Sequence, residues 1–156
     1  MANEAYIQTM QLARSTFEKT LSCFREQDAS FAPKDGMFTV AQHIAHAAQT
    51  VEWFLEGAFR PQGMNMEFES LENEVRAIEE MEDAMAWWNS AWDEALLSVG
   101  NTAPEAWAEP IRGEIMGGAP RSAIIVGIAD HTAHHRGALS VYARLLDRVP
   151  PMPYGA

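Results

Sequence analysis

Apolar side chains recur at intervals of three and four residues along most of this chain. That spacing gathers them on one face of an α-helix, whereas a half-buried strand would alternate apolar and polar residues. Thr39 and Ser70 stand where capping hydroxyls begin a helix, Gly100 stands where one ends, and Pro120 suits a first turn. The pattern predicts four helices, over residues of about 4–27, 39–57, 70–100 and 121–147. We therefore expect an all-α protein with one domain over residues 1–156, folded as a four-helix bundle.

The connection between the third and fourth predicted helices is long. Residues 101–119 contain two prolines and three glycines, which do not continue a helix. Helix connections in bundles usually have about 2–8 residues. We expect a long loop that acts as a crossover or as a lid over a site, with a short extended piece around 107–111.

Charge and cysteine content exclude several classes of protein. The chain has 22 Asp and Glu residues against 11 Lys and Arg, a formal charge of −11 at pH 7. This balance argues against binding to a nucleic-acid backbone or to an anionic membrane surface. The single cysteine, Cys23, excludes an internal disulfide and a paired-cysteine zinc site. No apolar run predicts a signal peptide or a membrane span, so we expect a cytoplasmic protein.

All five histidines fall in two of the predicted helices: His43 and His46 in the second, and His131, His134 and His135 in the fourth. His131 and His135 lie about 40° apart on a helical wheel, in the middle of the apolar stripe. Two polar rings there need partners, because an unsatisfied buried polar group costs roughly 1–3 kcal/mol. A divalent metal would satisfy both, with a third ligand from the second helix and a position open for water or substrate. The alternative is a pair of core histidines bonded to backbone carbonyls.

The wheel does not decide which histidine of the second helix would be that third ligand. His43 lies about 80° from the centre of the aliphatic stripe, and His46 about 140° away on the other side. This mildly favours His43. The helix is apolar nearly all round, however, so position alone leaves both residues open.

Two histidine-containing segments resemble motifs of the DinB/YfiT superfamily. TVAQHIAHAA over 39–48 is similar to its second-helix signature, and DHTAHHRGALSVYARLL over 130–146 is similar to its fourth-helix motif His-x-x-His-His-Arg-Gly. With the register fixed by the Thr-Val start, the ligands that the resemblance implies are His46, His131 and His135. It also implies a homodimeric bundle that holds zinc, nickel or iron. The resemblance does not imply contact with DNA, in agreement with the acidic charge.

The resemblance extends to function. It implies a metal-dependent enzyme acting on a small molecule, with transfer of a low-molecular-weight thiol favoured over hydrolysis. Tyr142, on the same face as His135, is the candidate catalytic residue, as a proton donor near the open position; the alternative is a packed tyrosine with a bonded hydroxyl. The alternative function is a non-catalytic dimeric bundle that binds metal or a small ligand. A fourth ligand from residues 101–119 would favour that alternative.

Overall fold

The computed structural model describes residues 2–155, and within that range its regular elements are all helices. The all-α class expected from the sequence is confirmed. Two short 3₁₀ helices, Glu26–Asp28 and Pro104–Ala108, lie in the connections. The five α-helices are α1 (Ala2–Leu21), α2 (Val40–Phe59), α3 (Phe68–Arg76), α4 (Met81–Asn101) and α5 (Ala123–Leu145). Within the described range, none of them combines the length and apolar content needed to cross a bilayer.

The start of α2 agrees with the sequence. The Thr39 hydroxyl accepts a hydrogen bond from the Gln42 backbone N–H at 3.2 Å, and the Gln42 side-chain oxygen accepts one from the Thr39 N–H at 3.1 Å. This reciprocal capping box satisfies two backbone donors that the first helical turn leaves free. It fixes the register of the helix that carries His43 and His46.

The prediction of one helix over 70–100 is wrong, because the segment forms two helices. The chain leaves the helical conformation between Arg76 and Met81, and Ser70 lies inside α3 instead of capping it. No proline or glycine marks the break. The Gln42 side chain on α2 donates to the Arg76 carbonyl at 3.0 Å, so a contact between helices satisfies the end of α3.

The core lies between the four helices of 20 or more residues. α2 packs on α4 and α5, while α1 packs on α5 and α4. Phe17 of α1 stacks on Trp88 of α4 with ring centroids 4.2 Å apart, and both side chains are fully buried. Burial of such large apolar side chains is the main stabilising contribution to folding.

The connection between α4 and α5 contains the 3₁₀ helix and one antiparallel bridge, between Pro110 and Pro120. Trp107 anchors it: the indole is buried, donates to the Asn3 side chain at 2.9 Å and packs edge-on against Tyr6. Phe59, the last residue of α2, also contacts Trp107. The loop therefore covers the end of the molecule where α1 begins and α2 ends.

Candidate metal centre

The structure brings together His46 from α2 with His131 and His135 from α5. One ring nitrogen of each lies within 4.8 Å of the others. His131 and His135 are one turn apart on the same face of α5, and α2 packs against that face. Among residues 2–155, no other histidine, cysteine or carboxylate joins this cluster. The three histidines that the resemblance implied therefore meet at one point.

The donor set suits a divalent transition metal. The Nε2 atoms of His131 and His135 are 3.3 Å apart. Two ligand nitrogens with bonds of about 2.0–2.1 Å at a tetrahedral ion stand about 3.3–3.4 Å from each other. Zinc, nickel and iron all accept imidazole ligands. Three histidines without a fourth protein ligand is the pattern of a catalytic site more than of a structural one.

Burial keeps these imidazoles neutral at pH 7. It lowers the pKa of His131 to about 4 and holds the pKa of His135 far below its usual range, with the neighbouring histidines as the next cause. Burial also lowers the pKa of His46, although a hydrogen bond with Gln49 opposes the shift. A metal binds imidazole only in its neutral form, so no proton has to be displaced at neutral pH.

His43 lies behind the cluster, against His135. The Nδ1 atoms of the two residues are 2.8 Å apart, and the His43 Nε2 lies 3.1 Å from the Tyr142 hydroxyl oxygen. That hydroxyl donates to the Phe38 carbonyl at 2.7 Å. Of the two histidines left open on the second helix, the structure thus places His46 in the cluster and His43 next to one of its members.

The Phe38 carbonyl, at the end of this series of contacts, determines which atom donates in each hydrogen bond of the series. A carbonyl only accepts, so the Tyr142 proton points to Phe38 and the phenolic oxygen accepts from the His43 Nε2–H. Burial lowers the pKa of His43 to about 4, so its other nitrogen, Nδ1, carries no proton and accepts from the His135 Nδ1–H. The lone pair of neutral His135 is then on Nε2, which faces His131.

A cleft of about 370 Å³ opens beside the cluster, with His46 and His131 in its wall. α2 supplies four of the eight other lining residues, α3 supplies three, and the loop before α2 supplies one ring. These other lining residues are Phe38, Gln49, Thr50, Trp53, Phe54, Phe68, Leu71 and Glu72. None comes from residues 101–119, so the long loop predicted as a possible lid does not line this cleft.

Sequence reasoning found the histidines but missed the apolar wall. Phe68 and Leu71 belong to α3, which the pattern had merged with α4. Trp53 and Phe54 did lie off the aliphatic stripe of the second helix, and that was the available signal. The Phe38 carbonyl left no signal, because a backbone group has no signature in the sequence.

Comparison with known proteins identifies a family. No curated protein matches the sequence. Among protein families, the DinB superfamily matches over residues 9–139, which include all three histidines of the cluster.

Proposed function

The chain belongs to the DinB superfamily, and on that premise we propose that it is a metal-dependent enzyme whose ligands are His46, His131 and His135. The observation that carries the proposal is the cluster itself: three ring nitrogens from two helices within 4.8 Å, at the wall of a cleft. We interpret the four long helices as the bundle that holds the site, and α3 as an addition that walls the cleft.

A divalent ion bound there, whether zinc, nickel or iron, acts as a Lewis acid and lowers the pKa of a thiol or water that reaches it. His131 and His135 hold their ligand atoms on one rigid helix, and His46 supplies the third from its neighbour. The apolar wall of the cleft excludes water from the reacting group, which strengthens electrostatic interactions there. Transfer of a low-molecular-weight thiol is the favoured reaction, with hydrolysis second.

His43 and Tyr142 act as positioning residues in this proposal. Their hydrogen bonds, ending on the Phe38 carbonyl, keep the proton of His135 on Nδ1 and its lone pair on Nε2. Partners behind a ligand imidazole fix its tautomer and orientation in this way. The proton-donor role predicted for Tyr142 would need its hydroxyl in the cleft, which Tyr142 does not line. The contacts favour the alternative of a packed tyrosine with a bonded hydroxyl.

Metal analysis of purified protein tests the proposal. We expect about one divalent ion per chain, as for a single three-histidine site. His135→Ala should abolish that content. The matched control is His134→Ala, since His134 is the exposed neighbour outside the cluster. Metal content that stays equal in both variants, or no metal in any protein after reconstitution, would contradict the proposal.

Partners and location remain part of the proposal. We propose a cytoplasmic homodimer that binds a small molecule and neither nucleic acid nor membrane. The net charge of −11 supports the last two exclusions. Sedimentation at several protein concentrations tests the homodimer: a mass near twice 17.3 kDa is expected, and a monomer at all concentrations would contradict it.

A further inference from the structure

The polar side chains in the wall of the cleft already donate to other groups of the protein. Gln49 donates to the Leu71 carbonyl at 2.9 Å and to the Glu74 carboxylate at 3.3 Å, and Thr50 donates to the His46 carbonyl at 2.8 Å. The indole N–H of Trp53 donates to the Asn65 carbonyl at 2.7 Å. Apart from the histidines, the wall therefore offers a ligand no free side-chain donor.

The charge of the wall is also unfavourable to anions. Among the residues that the structure describes, no lysine or arginine lines the cleft, and Glu72 is the one charged residue in its wall. Arg76 is the nearby cation, but its guanidinium pairs with Glu72 at 2.7 Å and donates to the Gly36 carbonyl at 3.2 Å. It also lies over the Phe38 ring, 4.8 Å from the centroid. A carboxylate in the cleft would lose its water without gaining a cation or a donor, which is costly.

Size and shape favour a compact apolar body. Phe38, Trp53, Phe54, Phe68 and Leu71 supply the aromatic and aliphatic surface. The volume of about 370 Å³ is near the lower end of the range of about 300–1,000 Å³ for small-molecule sites. A molecule with one ring or two fused rings and a short substituent matches such a volume.

We infer that the cleft binds a small molecule whose body and far end are uncharged and largely apolar and whose polar, reacting group sits at the histidine end, and that it rejects molecules with a carboxylate at the far end. The part of the inference that places the reacting group of the ligand at the histidine end rests on the proposed function. The selection against a distant anion rests on the wall alone and holds with or without metal.

Calorimetric titration with three thiols that share one head and one ring system tests the inference. The probes are naphthalene-2-thiol, 6-mercapto-2-naphthamide and 6-mercapto-2-naphthoic acid, each titrated into zinc-loaded and EDTA-treated protein in 0.15 M salt with a reductant. At that ionic strength, the overall negative charge is largely screened beyond about 8 Å. We expect the acid to bind at least tenfold more weakly than the amide of the same size, in both forms of the protein.

Two arginine variants distinguish the effect of the cleft wall on binding from the effect of the net charge of the protein. Leu71→Arg places a cation in the cleft and should bring the acid to at least the affinity of the amide. Leu97→Arg makes the same change of net charge on α4, at an exposed leucine outside the cleft. It should leave the tenfold difference in place. If Leu71→Arg does not fold, Phe68→Arg replaces it, since Phe68 also lines the cleft and is exposed.

The outcomes are distinct from those of the metal analysis. An acid that binds less than tenfold more weakly than the amide in either form of the protein overturns the inference. Equal effects of Leu71→Arg and Leu97→Arg overturn it as well. If zinc does not bind, the proposed function fails, whereas a tenfold preference for the amide in the metal-free protein still supports the inference.

Discussion

At the scale of single residues, the orientation of the His135 proton depends on groups outside the cluster. His135 donates to His43, which donates to Tyr142, which donates to the Phe38 carbonyl. If the tyrosine hydroxyl were missing, the His43 Nε2–H would lose its acceptor. His43 could then carry its proton on Nδ1 and point it at His135, which would move the His135 proton to the nitrogen that faces the cluster.

We therefore expect Tyr142→Phe to weaken metal binding by about 10–100-fold, the usual effect of losing a group that orients a ligand. The dissociation constant is measured by competition with a chelator of known affinity. Tyr6→Phe is the matched control, because it removes a hydroxyl from a tyrosine that packs on Trp107, away from the histidines. Equal affinities in the two variants would show that the hydrogen-bond chain does not orient His135.

At the scale of elements, two connections interlock at one glycine. Gly63, in the connection after α2, has a φ of +79°, and a Cβ there would lie 2.1 Å from the Arg112 carbonyl oxygen in the loop before α5. The left-handed backbone disfavours a side chain at this position, and the contact with the carbonyl oxygen excludes one. The close approach of the two connections requires glycine at this position.

Gly63→Ala should consequently destabilise the protein more than Gly118→Ala. Gly118 has a similar φ of +83°, but a Cβ there would meet nothing within 4 Å. We expect the control to lose about 1–2 kcal/mol for the backbone conformation alone. Gly63→Ala should lose a further 1–3 kcal/mol or so for the clash. Urea unfolding of both variants gives the comparison, and equal losses would mean that the loops move apart without cost.

A second link joins the region after α1 to the chain that follows α5. Asp28, in the 3₁₀ helix, is buried and pairs through both carboxylate oxygens with the Arg148 guanidinium. The hydrogen bond from Arg148 lowers the pKa of Asp28 despite the burial of the carboxyl. Arg148→Met should lower the melting temperature at pH 7, since it leaves a buried carboxylate without its partner. An unchanged melting temperature would contradict this role.

At the scale of the whole molecule, stability should depend on pH through the buried histidines. In the folded, metal-free protein, the pKa values of His43 and His131 fall from 6.5 to about 4. Between these values the unfolded chain binds protons that the folded chain does not. Stability is therefore full above pH 6.5 and decreases as the pH falls toward 4, by on the order of 3 kcal/mol for one such histidine.

Urea unfolding of metal-free protein between pH 7.5 and 4.5 measures this dependence. His131→Leu should make the free energy of unfolding depend less on pH. Arg148→Met should lower stability at pH 7.5, where the Asp28 carboxylate is charged and its ion pair is intact. A urea midpoint of unfolding that stays the same between pH 7.5 and 4.5 would show that folding does not hold the histidines neutral.

The sequence by itself determined what depends on residues close together in the chain. Helical periodicity gave the all-α class, Thr39 gave the start of α2, and the four-residue spacing gave a pair of rings on one face of α5. These features are local, because a helix repeats every 3.6 residues or so whatever packs against it. Recognition of the family needed only these motifs and their order.

Only the tertiary structure decided how the helices face each other. The wheel could not choose between His43 and His46 for a helix with apolar residues nearly all round. The motif resemblance implied His46, and the packing of α2 on α5 placed His46 in the cluster and His43 behind it. The tertiary structure also divided 70–100 into two helices, and Gln42 from α2 donates to the carbonyl at the end of α3. Packing of the helices also forms the cleft, because its wall comes from separate segments of the chain that meet only through packing.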